Sequence, residues 1–276
     1  MRTLKEAITK MEGRGGAGQS LRKHLEAVNI HEWEDFTRTG LYDFSDNLRE
    51  SVAPGTARTV CAYLKSLLHR YEDELELPDG WEKILSMKGD TARATYLTPE
   101  ELKKLESVST KNRHERIVLV ESLIEAYTGA RVSDVMTFTD ENFKDGYLTY
   151  TSKKTKVTAT VPVSDKTTEW IHYAQEHRED EPTLKCRNEI IRRLAKRAGI
   201  TARVKTRRGG EEKVTEKWEV LTSHCFRRST ATNLANAGAS LTDIRFTMGH
   251  TSESMSSRYI VASRPVLSTK AMAYFL

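Results

Sequence analysis

The chain has 276 residues, of which 30% are charged, and its mean hydropathy is −0.59. This length fits one large or two modest domains, and either arrangement can bury a hydrophobic core. No apolar run approaches the ~18 residues of a membrane span and no secretory leader pattern is present. We therefore expect a water-soluble, cytoplasmic protein with no membrane partner.

The three cysteines, Cys61, Cys186 and Cys225, are odd in number and widely separated. This spacing argues against a disulfide framework and fits a reducing compartment. The sequence has no Cys-x-x-Cys pair and no two histidines at metal-ligand spacing on one helix. We therefore expect neither a bound metal nor a cofactor.

Residues 1–92 have the pattern of an all-helical region, with a glycine-rich break at residues 13–18. The clearest helix is predicted from Thr56 to about Leu75, where apolar residues repeat at helical spacing. Its basic residues fall mainly on the other faces, which by itself favours an ordinary solvated face over binding of a polyanion. The residues that we select there as polyanion contacts are Arg58, Lys65 and Arg70.

The helical periodicity lapses around residues 88–91, and a new helix is predicted to begin after Thr98. Thr98 is a suitable N-cap, Pro99 fits the first helical position, and Glu101 completes a capping box. We therefore predict a domain boundary here, with a helical domain over residues 1–92 and a second domain over residues 93–276.

The period of the apolar pattern changes in the second domain. Alternating apolar residues predict two strands, around Leu148–Tyr150 and Val157–Val163, joined by a lysine-rich turn at Ser152–Lys156. A second hairpin is predicted over Val204–Val220, with its turn at Gly209-Gly210. The predicted fold is mainly α with small β-hairpins, an α+β class.

The positive charge of the chain is concentrated near the second hairpin. Between Lys185 and Lys217 there are twelve Lys or Arg and four Glu, a local charge of +8 (12 − 4) that exceeds the whole-chain +5. Clustered charge of this kind is typical of phosphate binding. The residues that we select as contacts are Arg192, Arg193, Lys196, Arg197, Arg203, Lys205, Arg207 and Arg208.

Three short motifs point to chemistry on a phosphate, and the first surrounds Arg131. Gly129 is predicted to end one helix and Ser133 or Asp134 to start another, which places Arg131 in a tight junction. A planar guanidinium at this point can bind two phosphate oxygens at once. Pairing with a carboxylate is the alternative interpretation.

The second motif is the pair His224 and Arg227. With Ser223 as the predicted N-cap of a helix that ends near Asn236, the two side chains are at positions i and i+3 and share one face. Arg228, one step around the helix, is expected to point away as a surface or backbone-phosphate arginine.

The third motif is Gly249-His250, with Tyr259 nine residues further on. Singly, such a histidine is usually a helix cap and such a tyrosine usually a core residue. As an ordered set with the arginines, they can hold a phosphate while the tyrosine oxygen attacks it.

In this order the residues resemble the active site of the tyrosine recombinases, also called phage-type integrases, and their Xer-like members. The strings TGARVSD around the first arginine, LTPEEL at residues 97–102 and MGH at residues 248–250 match that family. The resemblance covers about residues 95–262. It implies six catalytic residues, Arg131, Lys154, His224, Arg227, His250 and Tyr259.

The resemblance also implies their roles. Tyr259 would attack a DNA phosphate, form a 3′-phosphotyrosyl link and release a 5′-hydroxyl, while the two arginines neutralise the phosphate. His224 would act as acid or base, and His250 would hydrogen-bond the phosphate.

The lysine of this set is assigned to the first hairpin and would donate a proton to the leaving 5′-oxygen. Lys154-Thr155 precedes the strand that leads to Val161-Pro162-Val163, as the family's Lys-Thr pair does. This match favours Lys154 over Lys153 or Lys156.

As partners, the resemblance implies double-stranded DNA with inverted-repeat core sites, held in a C-shaped clamp by a helical core-binding domain and a catalytic domain. It implies a homotetramer on synapsed DNA that exchanges strands through a Holliday junction without ATP or metal, and it admits accessory DNA-bending proteins. We expect a nucleoid-associated protein of a prokaryote or of its virus or mobile element. An apolar stripe at Leu267, Ala271 and Phe275 could dock on a neighbouring protomer or on its own domain.

Two alternatives share the nucleophile and the arginines, namely a type IB topoisomerase and a hairpin-forming telomere resolvase. A non-catalytic DNA-binding protein is disfavoured because every active-site position is filled. A metal-dependent nuclease is disfavoured because no Asp/Glu ligand cluster stands out.

Overall fold

The computed structural model describes residues 2–12, 17–88, 95–180, 182–208 and 211–261. Within these ranges the fold is mainly helical with two small sheets, which confirms the predicted class. The chain divides into two compact units, residues 1–93 with 206–213 and residues 94–205 with 214–276. None of the described helices is long and apolar enough to cross a membrane.

The described part of the first unit is a set of helices around one hydrophobic core. Its α-helices are α1 (Leu4–Glu12), α2 (Ala17–Glu26), α3 (Arg38–Ser51), α4 (Pro54–Arg70) and α5 (Trp81–Ile84).

Helix α4 is the helix that the sequence predicted from Thr56 to about Leu75, and both predicted ends were wrong. It begins at Pro54, because the fixed φ of proline suits the first helical position. It ends at Arg70, and a short 3₁₀ turn at Glu72–Glu74 follows. The predicted apolar face is buried against the core.

The second unit contains most of the remaining elements. Its helices are α6 (Pro99–Glu106), α7 (Arg113–Thr128), α8 (Val132–Val135), α9 (Asp165–Glu176), α10 (Leu184–Arg197), α11 (Ser223–Asn236), α12 (Leu241–Met248) and α13 (Glu253–Tyr259). Its strands are β1 (Phe143–Lys144), β2 (Tyr147–Thr151) and β3 (Thr158–Pro162). Strands β4 (Arg203–Arg208) and β5 (Glu211–Glu216) are divided between the two units, because residues 206–213 belong to the first.

Helix α7 forms the centre of the second unit. Every residue from Ile117 to Ala126 is buried, because α6, α9, α10 and α11 all pack against this helix. A helix that is covered on all sides needs no single apolar stripe. The helix therefore holds its C-terminal end, at the start of the junction with Arg131, in a fixed position in the core.

Strands β2 and β3 form an antiparallel hairpin with β1 on the outer edge of β2. Leu148 lies opposite Val161 and Tyr150 opposite Ala159, and all four are buried while the residues between them are exposed. This arrangement confirms the predicted alternation. Strand β1 was not predicted, because two residues are too few to show a period.

The second predicted hairpin is also present, as the two-stranded sheet β4–β5. The segment predicted as its last residues, 217–220, is a 3₁₀ helix instead of strand. Other predictions lie outside the described residues: the turn at Gly209-Gly210, the glycines at 13–16, the segment 89–94 at the predicted boundary, and the stripe of Leu267, Ala271 and Phe275.

Candidate active site

Arg131 lies at the junction between α7 and α8. Gly129 ends α7 with φ of 71°, and a Cβ at this position would lie 2.7 Å from the Met248 sulfur, so the junction requires glycine. The N-cap of α8 is Arg131 itself, and the prediction of Ser133 or Asp134 for that position was wrong. The turn after Gly129 is tight, so α8 already begins at Val132. The Arg131 side chain is directed to the first hairpin.

A buried carboxylate holds the Arg131 guanidinium and the first hairpin together. Arg131 Nη1 donates to Ser152 Oγ at 2.8 Å, and Ser152 Oγ donates to Asp134 Oδ2 at 3.0 Å. The other Asp134 oxygen accepts from the Lys153 backbone amide at 2.9 Å. Asp134 is 1% exposed. Arg131 Nη1 also lies 3.8 Å from Asp134 Oδ2, the carboxylate pairing that the sequence left open as the alternative. Sequence reasoning missed the link from Asp134 to the hairpin because Ser152 and Lys153 lie 18 and 19 positions further along the chain.

The turn between β2 and β3 places Lys154 beside the junction, with its side chain exposed. The neighbouring Thr155 hydroxyl donates to the carbonyl oxygen of Gly249 at 3.1 Å, which attaches this turn to the end of α12. Lys154 is also close enough to His224 for its charge to act on that histidine.

Helix α11 carries His224, Arg227 and Arg228. Its N-cap is Thr222, and the prediction of Ser223 was one residue too late. Arg227 is 1% exposed, donates to the carbonyl oxygen of Gly129, and donates to that of Met248 at 2.5 Å. The guanidinium therefore joins the ends of α7 and α12 to α11.

His250 follows the Gly249 C-cap of α12 and is 1% exposed. Its Nδ1 is 3.1 Å from Ser256 Oγ, and its Nε2 has no hydrogen-bond partner among the described residues. A buried ring nitrogen without a partner is costly unless a bound group completes it.

Tyr259 is the last residue of α13, and its ring lies among His224, His250 and Arg227. The ring centre is 5.0 Å from that of His224, 4.7 Å from that of His250, and 5.5 Å from the Arg227 guanidinium carbon. The structure thus brings together four of the six predicted catalytic residues around one point, and Arg131 lies next to them.

The segment after Tyr259 is attached to α11 by a buried threonine. The Thr232 hydroxyl donates to the Tyr259 carbonyl oxygen at 3.4 Å and accepts from the Val261 amide at 3.0 Å. Thr232 is 0% exposed, so these bonds are shielded from water.

Arg228 contradicts the expectation that it points away from the site. Its guanidinium carbon lies 5.7 Å from the centre of the Tyr259 ring, within the range of a cation–π contact. Position i+4 from His224 also shares a helix face, and a long side chain on that face reaches α13.

Both histidines of the site favour the neutral form. Desolvation lowers the pKa of His224 to about 4, although the residue is exposed, and the nearby positive charges act in the same direction. Burial lowers the pKa of His250 to about 3, again with help from the arginines. A neutral imidazole can accept a proton at neutral pH.

Of the residues predicted to contact DNA in the first unit, Arg58 and Arg70 are exposed on α4 and Lys65 is half-buried. On α10, Arg197 forms a bidentate ion pair with the buried Glu115. Lys196 lies over the Trp218 ring. The other two predicted residues of this helix, Arg192 and Arg193, make fewer contacts. Arg193 is 3.9 Å from Glu115, and Arg192 donates to the Leu221 carbonyl oxygen at 3.3 Å.

The half-buried Arg197 is thus occupied by its ion pair with Glu115, while Arg193 and Lys196 are the more accessible charges of α10. On β4, Arg203 and Lys205 are exposed, and the side chains of Arg207 and Arg208 lie outside the described part. The described residues contain no group of three or more His, Cys, Asp or Glu that could hold a metal ion.

Comparison with known proteins agrees with this geometry. The sequence profile of the phage integrase family matches residues 95–264. The tyrosine recombinase XerA of Pyrococcus furiosus is 29% identical over 274 residues, which cover 93% of this chain and 88% of that protein.

Two solved structures have a similar fold. A λ integrase (75–356) dimer bound to a COC′ core site has a TM-score of 0.67 at 16% identity, over 95% of this chain and 96% of that one. A λ integrase tetramer bound to a Holliday junction has a TM-score of 0.64 at 16% identity, over 94% and 77%.

The chain belongs to the phage integrase family. It is a tyrosine recombinase, an enzyme that cleaves and rejoins DNA strands at specific sites through a phosphotyrosyl intermediate.

Proposed function

We propose that Tyr259 is the nucleophile of this recombinase and that the residues around its ring carry the chemistry. The observation that supports this assignment most strongly is the convergence on that ring of His224 and Arg227 from α11 and of His250 from the end of α12. In the forward step the Tyr259 oxygen bonds to the phosphorus, and the bond from phosphorus to the 5′-oxygen breaks.

Proton transfers balance this step. The neutral His224 takes the proton of the phenol, and Lys154 gives a proton to the leaving 5′-oxygen. If Ser256 donates to His250 Nδ1, the proton of that ring is on the unpartnered Nε2, where it can donate to a phosphate oxygen. A 5′-hydroxyl of another strand then attacks the phosphotyrosyl link and releases Tyr259. The same proton transfers run in reverse, and strand exchange is complete.

Arg131 and Arg227 stabilise the charge that grows on the phosphate oxygens. Arg227 uses two of its N–H groups on carbonyl oxygens, while its Nε has no partner among the described residues. Arg131 is fixed by Ser152 and Asp134. Both guanidinium groups are therefore held in position before the phosphate arrives, which is the condition for electrostatic stabilisation without reorganisation.

The substrate that we propose is double-stranded DNA with inverted-repeat core sites, and the active assembly is a tetramer on two synapsed duplexes. The solved λ integrase complexes with a core site and with a Holliday junction support this proposal. We propose residues 1–92 as a core-binding domain and residues 93–276 as the catalytic domain, closing on the duplex as a clamp. Arg58 and Arg70 are exposed on α4, and they fit phosphate contacts made by the core-binding domain. Its place of action would be the cytoplasm, at the nucleoid.

A strand-exchange assay tests this function against a type IB topoisomerase activity. Inverted repeats from the DNA beside the gene are placed twice on one plasmid, and recombinant products are measured next to a plasmid without them. The proposal expects recombinants only from the plasmid with two sites. Relaxation of both plasmids at equal rates, without recombinants, would favour the topoisomerase.

A further inference from the structure

Arg228 has no role in the chemistry described so far, yet it contacts the nucleophile. Its side chain is half-buried, and its guanidinium carbon lies 5.7 Å from the Tyr259 ring centre, almost as close as that of Arg227 at 5.5 Å. The Arg227 guanidinium donates to two backbone carbonyl oxygens. Arg228 is therefore a second cation at the same ring, with a different environment.

Two physical effects follow from that placement. A guanidinium within ~6 Å of an aromatic ring attracts the ring face, which holds the ring where it lies. The same cation attracts a phenolate more strongly than a phenol, because the negative charge appears only on deprotonation.

We propose that Arg228 is a positioning residue for Tyr259, which keeps the ring docked against α11 and stabilises its oxygen as the proton leaves for His224. This inference rests on the proposed role of Tyr259 as the nucleophile. It assigns to Arg228 a function different from a simple contact with the DNA backbone.

The charge of Arg228 also acts on the proton acceptor. Among the charged groups that lower the pKa of His224 to about 4, after desolvation, Arg228 is the strongest. It thereby keeps the imidazole neutral in the free protein. The charged or titratable groups near His224 are Arg227 and Arg228 on α11, Arg131 at the α7–α8 junction, Lys154 in the β2–β3 turn, Tyr259 on α13 and His250 after α12.

The test compares Arg228→Gln, Arg228→Lys and a matched control, Arg116→Gln. Arg116 makes the same type of contact, 5.4 Å from the Tyr173 ring centre, but lies in the first turns of α7, about 18 Å along the helix from its end near the site. Single-turnover cleavage of a nicked suicide duplex is measured at saturating DNA between pH 6 and pH 9, together with the affinity and its salt dependence.

We expect Arg228→Gln to slow cleavage on the order of tenfold at neutral pH, with partial recovery at high pH, at unchanged DNA affinity. Arg228→Lys keeps the charge and should retain most of the rate, and Arg116→Gln should cleave like the parent. Parental cleavage by Arg228→Gln would overturn the proposal. The proposal would also be overturned if Arg228→Gln lost only DNA affinity, with a salt dependence of binding shallower by about one phosphate contact.

A second measurement does not depend on cleavage. In the free protein with ¹³C-labelled tyrosine, the Tyr259 resonance should be displaced by the ring currents of its two histidine neighbours. Arg228→Gln should move it towards the value of an exposed tyrosine, and Arg116→Gln should not. An unmoved resonance would contradict the positioning role. If it moves as expected while the parent forms no covalent adduct with DNA, the proposed function fails and the contact stands.

Discussion

The hydroxyl of Thr155 donates a hydrogen bond of 3.1 Å to the carbonyl oxygen of Gly249, 94 positions further along the chain. Thr155 follows Lys154, and Gly249 precedes His250. One bond therefore connects the turn that carries the proposed proton donor to the helix end that carries a proposed phosphate ligand.

If Lys154 protonates the leaving 5′-oxygen, Lys154→Ala should cleave ordinary DNA slowly, by a factor of about 10²–10⁴. A 5′-bridging phosphorothioate should largely restore cleavage, because sulfur leaves without a proton. Thr155→Val, which removes only the hydroxyl, should show a smaller loss and the same rescue, while Thr155→Ser should cleave normally. Rescue of Lys153→Ala but not of Lys154→Ala would move the assignment to Lys153.

The buried carboxylate of Asp134 should matter both for stability and for cleavage. Asp134→Asn weakens its bonds to the Ser152 hydroxyl and the Lys153 amide, and we expect a loss of about 1–3 kcal/mol in the free energy of unfolding. Urea unfolding measures this loss, and suicide-substrate cleavage should fall while DNA binding persists. The exposed Asp140 is the control, and equal effects of Asp140→Asn and Asp134→Asn would contradict the role of Asp134.

The sequence predicted the parts of the fold that depend on local chemistry. The capping box at Thr98 formed as expected, since Thr98 and Glu101 each accept from the other's backbone amide. The alternation at Leu148 and Tyr150 also marked a real strand, because one face of the hairpin packs on the core and the other is exposed.

Features that depend on tertiary packing were not predictable in this way. Arg228 was expected to point away because it is one step around α11 from Arg227, although it is also at i+4 from His224 and shares that face. Its contact with Tyr259 further requires α13 to pack on α11, which neither helix encodes by itself. Charge clustering selected Arg197 for DNA, although it pairs with Glu115, which lies 82 positions earlier. The role of Asp134 required the hairpin to fold back on the junction.

The two lowered histidine pKa values predict a specific pH response of the free protein. At pH 5.5 His224 and His250 should both remain neutral, and ¹⁵N NMR of the imidazoles, assigned with His224→Gln and His250→Gln, measures this. The unfolded chain binds these protons near pH 6.5, so the free energy of unfolding should fall as the pH drops from about 6.5 to about 4. Titration of both rings near pH 6.5 in the folded protein would contradict the description of the site.

A fragment of residues 91–276 tests whether residues 1–90 are a DNA-binding domain. The second unit has its own hydrophobic core, so the fragment should fold and keep the active site. It should bind the recombination site more weakly and with a shallower salt dependence than the whole chain, because fewer phosphates are neutralised. Filter binding at several salt concentrations measures both, and identical affinity and slope would show that residues 1–90 make no DNA contacts.

The most direct test of the central claim is to identify the residue that becomes joined to DNA. The full-length protein is incubated with a nicked suicide duplex that carries its site, and the SDS-resistant adduct is digested and analysed by mass spectrometry. The 3′-phosphate should be attached to the peptide that contains Tyr259, and Tyr259→Phe should bind the same DNA without forming an adduct. An adduct on another residue, or an SDS-resistant adduct in Tyr259→Phe, would contradict the assignment.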